Sequence, residues 1–194
     1  MSRVRFVSVE DVFLAFEPAA ADVGESGSAE DPVAFLAGLL AADKPLAALR
    51  FVSYVLPRRE CVWWCVQSVR RMAAPPPGSR DETALIVAED WVRDPSEAPR
   101  RRALEIGLAS GPVGACQMAA LAAGWSGGNK VLDDDKPVPA EPFATARIAQ
   151  GAVLTAIARH PPEKQFGLMA VCAEAGRRFA AGEPLTFSSP APST

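Results

Sequence analysis

Eighteen prolines interrupt a chain whose apolar residues otherwise recur at helical spacing, and this combination constrains the fold more than any other feature of the sequence. Proline is tolerated in the first turn of a helix, where its missing N–H costs nothing, and is excluded from the interior. The prolines therefore mark where one helix stops and the next begins. Asp31 is placed to cap a helix opened by Pro32, with Phe35, Leu36, Leu39 and Leu40 on one face. Pro45 opens the next, with Leu46, Leu49, Val52 and Leu56 spaced for a single stripe. Pro57 opens another that runs to about Met72, carrying Cys61, Val62, Cys65, Val66, Val69 and Met72 at helical intervals.

The same reading extends to both ends. Ser8 caps a short helix over Val9–Phe16, after an extended piece at Val4–Phe6. Ala19 to Ala29 is small, acidic and Gly/Ser-containing, and reads as a flexible loop. Asp81 starts a helix with Leu85, Ala88, Trp91 and Val92 inward. The next helix is capped by Asp94 or by Ser96, and another, opened by Pro112, ends near Gly124. After a polar loop from Ser126 to Pro142, two long helices close the chain, over 143–159 and 162–181. Short connectors at Asp43-Lys44, Leu56-Pro57 and His160-Pro161 are expected to lay successive helices side by side. With 49% hydrophobic residues, dominated by alanine, and only 7% aromatics, closely packed helices are favoured over sheets. The expectation is an all-α chain, an irregular bundle or short stacked helix-pair array of eight to nine helices. It forms one domain over 1–184, with a flexible tail over 185–194.

Several function classes recede on chemistry. A net charge of −3 demands no basic face of the kind that neutralises phosphates, so nucleic acid is not expected as a partner. No run of 18 apolar residues spans a membrane, and the first residues lack a secretory leader, so a cytoplasmic protein is expected. Cys61, Cys65, Cys116 and Cys172 sit within helices as buried, reduced thiols rather than zinc ligands, and neither metal nor cofactor is expected. His160 is the single histidine, which removes two-histidine metal sites and makes every triad depend on one residue at a helix end. Gly124-Trp125-Ser126-Gly127-Gly128-Asn129-Lys130 has glycines and a lysine but follows a helix, where a phosphate loop follows a strand. Asp133-Asp134-Asp135 with Glu141 reads as a solvated charge run. No catalytic residue is assigned.

What stands out is Leu56-Pro57-Arg58-Arg59-Glu60-Cys61-Val62-Trp63-Trp64-Cys65. Adjacent tryptophans on a helix diverge by about 100°. Trp64 lies on the stripe of Cys61 and Cys65 and is expected in the core. Trp63 falls on the flank with Arg59 and Arg70. Tryptophan and arginine are over-represented in interface hot spots. Arg58, Arg59, Trp63 and Arg70 are therefore the candidate interaction residues, with another protein as the expected partner. The remaining arginines, including Arg100-Arg101-Arg102, are read as scattered over helix surfaces.

The Leu56–Trp64 string resembles an uncharacterised bacterial family classed as a domain of unknown function. So do Ala88-Glu89-Asp90-Trp91-Val92-Arg93-Asp94-Pro95-Ser96-Glu97, the Trp125-Ser126-Gly127-Gly128 turn and the Gly151-Ala152-Val153-Leu154 helix. The resemblance covers roughly residues 4 to 183 and departs at Gly124, where an aromatic residue is expected. It implies a helical fold, a bacterial source and genes near type VI secretion components. The functional expectation is a non-enzymatic helical interaction protein, an accessory or adaptor of a secretion system. The alternatives are an immunity-type protein that binds a toxin, or an enzyme using carboxylates such as Glu60, Glu89 and Asp90 without a histidine.

Overall fold

The computed structural model describes residues 2–109 and 111–187. Among them the chain is 64% helical, with ten α-helices and no strand. The helices are α1 Val9–Ala15, α2 Ala19–Val23, α3 Pro32–Ala41, α4 Pro45–Val55, α5 Arg58–Ala73, α6 Arg80–Arg93, α7 Glu97–Leu108, α8 Ala115–Gly124, α9 Ala144–Ile157 and α10 Pro162–Ala180. The all-α reading holds, and the count exceeds the expected eight to nine because of α2. Its Ala19-Ala20-Ala21 run favours a helix, and Gly24 ends it at φ +77°, with its N–H donating to Ala20 O at 2.8 Å. Of the tail expected from residue 185, residues 188–194 lie outside the described residues.

Local capping chemistry sets the starts of α1, α3 and α6. Ser8 Oγ accepts from Asp11 N at 3.1 Å while the Asp11 carboxylate accepts from Ser8 N at 3.0 Å, a reciprocal capping box. Asp31 Oδ1 accepts from the N–H groups of Val33 and Ala34 at 2.9 and 3.0 Å, ahead of Pro32. Ser79 Oγ accepts from Glu82 N at 3.1 Å. Ser96, not Asp94, is the residue ahead of α7. Pro112 does not open α8: the helix starts at Ala115, and the Gln117 side chain turns back to accept from Gly114 N at 3.2 Å. Val4–Phe6 forms no strand.

The described residues form two compact units, one within 2–57 and 160–187, the other within 58–159. Two of the short connectors expected to lay successive helices side by side, at Pro57 and at His160, are the points where the chain passes from one unit to the other. In the first unit α4 packs on α2, α3 and α10. Its core is aromatic: Phe51 meets Phe13 and Phe35 edge to face with ring centroids 5.8 and 4.9 Å apart, and Phe16 leans on Tyr54 at 5.6 Å. The Tyr54 hydroxyl donates to the Asp22 carboxylate. Near the N-terminus, Arg3 donates to the carbonyls of Phe179 and Glu183 at the end of α10.

The second unit is built around α8, which packs on α5, α6, α7 and α9. A helix surrounded on all sides must be apolar on all sides. Ala115, Cys116, Ala119, Ala120, Leu121, Ala122 and Ala123 meet that demand, and all are buried. Small residues also allow close approach to α7. A side-chain carbon added at Gly124 would lie 2.8 Å from Leu104 Cα, and one added at Gly107 would lie 2.7 Å from the Leu121 side chain. Trp64, Leu85, Leu104 and Ile157 complete the core, each less than 2% exposed.

Candidate functional site

The α5 surface expected to meet a partner turns mostly toward α6. Arg59 Nε donates to Val92 O at 2.6 Å, which satisfies a carbonyl in the last turn of α6. Arg70 donates to both Glu82 oxygens at 2.9 and 3.0 Å and reaches Glu89 Oε1 at 3.0 Å. Gln67 adds a bond to the same Glu89 oxygen at 3.3 Å. Burial alone would lower the Arg70 pKa, but the two carboxylates more than reverse this and raise it. Arg59 and Arg70 thus fasten α5 to α6. Trp64 is fully buried, Trp63 on the flank is half-buried, and Arg58 is exposed. Of the carboxylates considered for catalysis, Glu89 is held by Arg70 and by Arg93, and Asp90 pairs with Arg93 at 2.7 Å on the surface.

The four thiols are free and buried. Cys65 donates to Ala149 O at 3.6 Å. Burial, then the neighbouring Glu60 charge, pushes the Cys61 thiol up to about 12, and burial with Asp81 pushes Cys116 up to about 11. Both are poor nucleophiles at neutral pH. Among the described residues no group of three or more His, Cys, Asp or Glu side chains converges as metal ligands would.

A second surface is assembled by the segment between α8 and α9. It is nonhelical, yet fastened at many points. Arg100, on α7, is only 5% exposed, in contrast to the surface position expected for it. Its guanidinium donates to Gly124 O and Asn129 O and forks onto both oxygens of Glu97 at 2.7 and 2.6 Å. A side-chain carbon added at Gly128, at φ +61°, would lie 3.2 Å from that guanidinium. Arg101 holds Leu132 O at 3.2 Å and the Asp134 carboxylate at 2.8 Å. The Asn129 side chain accepts from the N–H groups of Val131 and Val138 and donates to Asp133 O. Trp125 Nε1 donates to Lys130 O at 3.3 Å. Among Asp133, Asp134 and Asp135, only Asp134 forms an ion pair, and all three are exposed, as a charge run should be.

Beside this segment lies a hollow of about 270 Å³ lined by Trp125, Lys130, Glu141, Phe143, Ala144, Arg147 and Ile148. Lys130 Nζ lies 2.7 Å from both Glu141 oxygens, and its hydrogen bonding holds the Glu141 carboxyl below the usual carboxylate range. Lys130 Nζ is also 6.0 Å from the centre of the Trp125 ring, and the Arg147 guanidinium is 5.9 Å from the centre of Phe143. Helix α9 begins at this hollow with no side-chain cap and no acid in its first turn. Sequence reasoning missed the site. The Gly124–Lys130 string pointed to it, but only as a failed phosphate loop, and the arginine triplet passed for surface charge.

Two packed helical units without a sheet among the described residues place the chain among the all-α proteins. Within that class it belongs to the family of unknown function DUF6931, whose model matches residues 35–180, from within α3 to the last residue of α10. No curated protein and no solved structure matches the chain.

Proposed function

We propose that the chain is a non-enzymatic helical interaction protein that receives a segment of another protein at the Trp125–Phe143 hollow. The fastened segment between α8 and α9 carries this reading. Long connections without secondary structure are uncommon in compact domains, and where they are held in place they serve binding. This one is held by Arg100, Arg101 and Asn129 while Trp125 and Phe143 stay half-buried beside two cations. Partly exposed tryptophan next to arginine is the composition of an interface hot spot. Arg58 and Trp63 on α5 form a second proposed contact, which Arg59 and Arg70 of the same helix support by fastening it to α6. The motif resemblance supports a place as an accessory or adaptor of a bacterial type VI secretion system. Buried, reduced thiols fit a reducing cytoplasm.

The test is site-specific photo-crosslinking in the source bacterium, with a crosslinking amino acid at Ile148 in one variant and at Trp63 in another. One discrete protein adduct from position 148, identified by mass spectrometry, is the expected result. An adduct from position 63 alone moves the contact to α5. No protein adduct from either position sinks the interaction reading.

A further inference from the structure

We infer that α1 presents a docking face for a basic segment of a partner protein: a stretch rich in lysine or arginine whose apolar side chain covers Leu14 while its cations meet the carboxylates of Glu10 and Asp11. This face belongs to the first unit and the Trp125–Phe143 hollow to the second, so the two readings stand or fall separately.

Helix α1 is apolar on two sides. Val9 and Val12 point into the unit and are fully buried, while Phe13 and Phe16 meet the rings of Phe51 and Tyr54 on α4. Leu14 lies about 200° round the helix from Val12 and is 77% exposed. Val7, just ahead of the helix, is 83% exposed, and no other large hydrophobic side chain among the described residues exceeds 59%. A helix with one neighbour needs one apolar face, and a second apolar face calls for a second neighbour. The helix is also held still. The Ser8–Asp11 capping box fixes its start, Val9 N donates to Glu30 O at 3.0 Å, and Glu10 N donates to Ser28 O at 3.0 Å. Leu14 is thus presented on a fixed element, not on a fraying end.

Charge names the neighbour. Residues 5–31 hold seven carboxylates against the single cation of Arg5. Asp31 caps α3, Glu25 pairs with Lys44, and Asp22 accepts from the Tyr54 hydroxyl. Glu10, Glu17 and Glu30 are exposed and form no ion pair among the described residues. Glu10 and Asp11 stand four and three residues before Leu14, the spacings that bring side chains together on a helix surface. Nucleic acid or an anionic lipid surface would meet like charge there. The carboxylates do not converge as metal ligands would. A second copy laid face to face would set the acids against themselves. Residues 188–194 of the chain itself contain no lysine, no arginine and no large apolar side chain, so they do not supply the complement. A basic segment with an apolar side chain matches both the charge and the exposed leucine.

The full chain labelled with ¹⁵N, in low salt, is titrated with an acetylated and amidated peptide of sequence Gly-Lys-Leu-Ala-Lys-Lys-Leu-Ala-Lys-Gly. One control peptide carries Glu in place of every Lys, and another carries Ser in place of both Leu. The expected result is a saturable shift of the backbone amide signals from Val7 to Glu17, at least about tenfold tighter with the Lys peptide than with either control. Leu14→Ser should weaken that binding by about fivefold or more, and Glu10→Lys by at least as much, with the remaining amide signals in place. Both side chains are exposed, so neither change disturbs the core. Equal binding of the Glu peptide overturns the basic guest. Equal binding of the Ser peptide, or unchanged binding by Leu14→Ser, overturns the apolar contact at Leu14. Shifts confined to other parts of the chain, or no shift at all, overturn the docking face. Dimerisation of the chain alone that Leu14→Ser abolishes assigns the face to a second copy and overturns the foreign segment. The docking reading of the hollow is judged separately, by the adduct at position 148.

Discussion

Replacing Arg100 by methionine would test whether the segment between α8 and α9 is held in place as the structure describes. Methionine keeps a long apolar stem and deletes the guanidinium, so two backbone carbonyls lose their donor, Gly124 O and Asn129 O. A buried acceptor left without a partner costs about 1–3 kcal/mol. Gly124 is buried and falls in the middle of that range, while half-buried Asn129 can recruit water and falls at its low end. The Glu97 side chain is 67% exposed and rehydrates on losing its partner, so the ion pair adds at most about 1 kcal/mol. The expected loss is about 2–4 kcal/mol. Urea denaturation followed by tryptophan fluorescence measures it cleanly, because Trp63, Trp64, Trp91 and Trp125 all lie in the second unit. Limited proteolysis should then cut within 126–142 in the variant and not in the parent. A loss below about 0.5 kcal/mol with an unchanged cleavage pattern would show that water already serves these carbonyls and that Arg100 does not hold the segment.

Trp64→Ala should cost about 3–5 kcal/mol, the range for deleting a fully buried large aromatic, and Trp63→Ala less than about 2 kcal/mol, both read from denaturation midpoints. Gly124→Ala should cost about 1–3 kcal/mol because the new carbon meets Leu104 backbone at 2.8 Å. Gly38→Ala, in α3 with nothing within 4 Å, should stabilise by about 0.5–1 kcal/mol; reversed signs would refute the close α7–α8 approach. Glu97, Asp134 and Glu141 are held below their ordinary values by hydrogen bonds from Arg100, Arg101 and Lys130 respectively. A depressed carboxylate stabilises above its unfolded value of about 4 and stops doing so as pH falls through the folded value, so the α8–α9 segment should loosen below about pH 4. Amide exchange across 126–142 measured from pH 7 down to pH 3 should show this, and protection unchanged at pH 3 would rule it out.

Most helix starts were legible because capping is a local matter. Ser8 and Asp31 each bond to an N–H two or three residues ahead, and Pro32 and Pro45 carry their φ preference with them. The inward turn of Trp64 and the flanking position of Trp63 were equally legible, since a helix begun at a known residue fixes every later direction. Helix α2 escaped notice because a short alanine run among loop-forming residues is decided by a few tenths of a kcal/mol of propensity. Nothing local marks Arg100 as buried. Its carbonyl partners are 24 and 29 residues away and arrive only when α8 crosses α7 at Gly107 and Gly124. The hollow has the same origin, in Trp125, Lys130, Glu141 and Arg147, brought together by a segment with no period of its own. Periodicity and caps belong to residues a turn apart, so the sequence by itself determined where the helices lie and which face of each is apolar. Which face meets which, whether an arginine ends in water or against a carbonyl, and where a cavity remains depend on long-range closure, and those the tertiary structure alone decided.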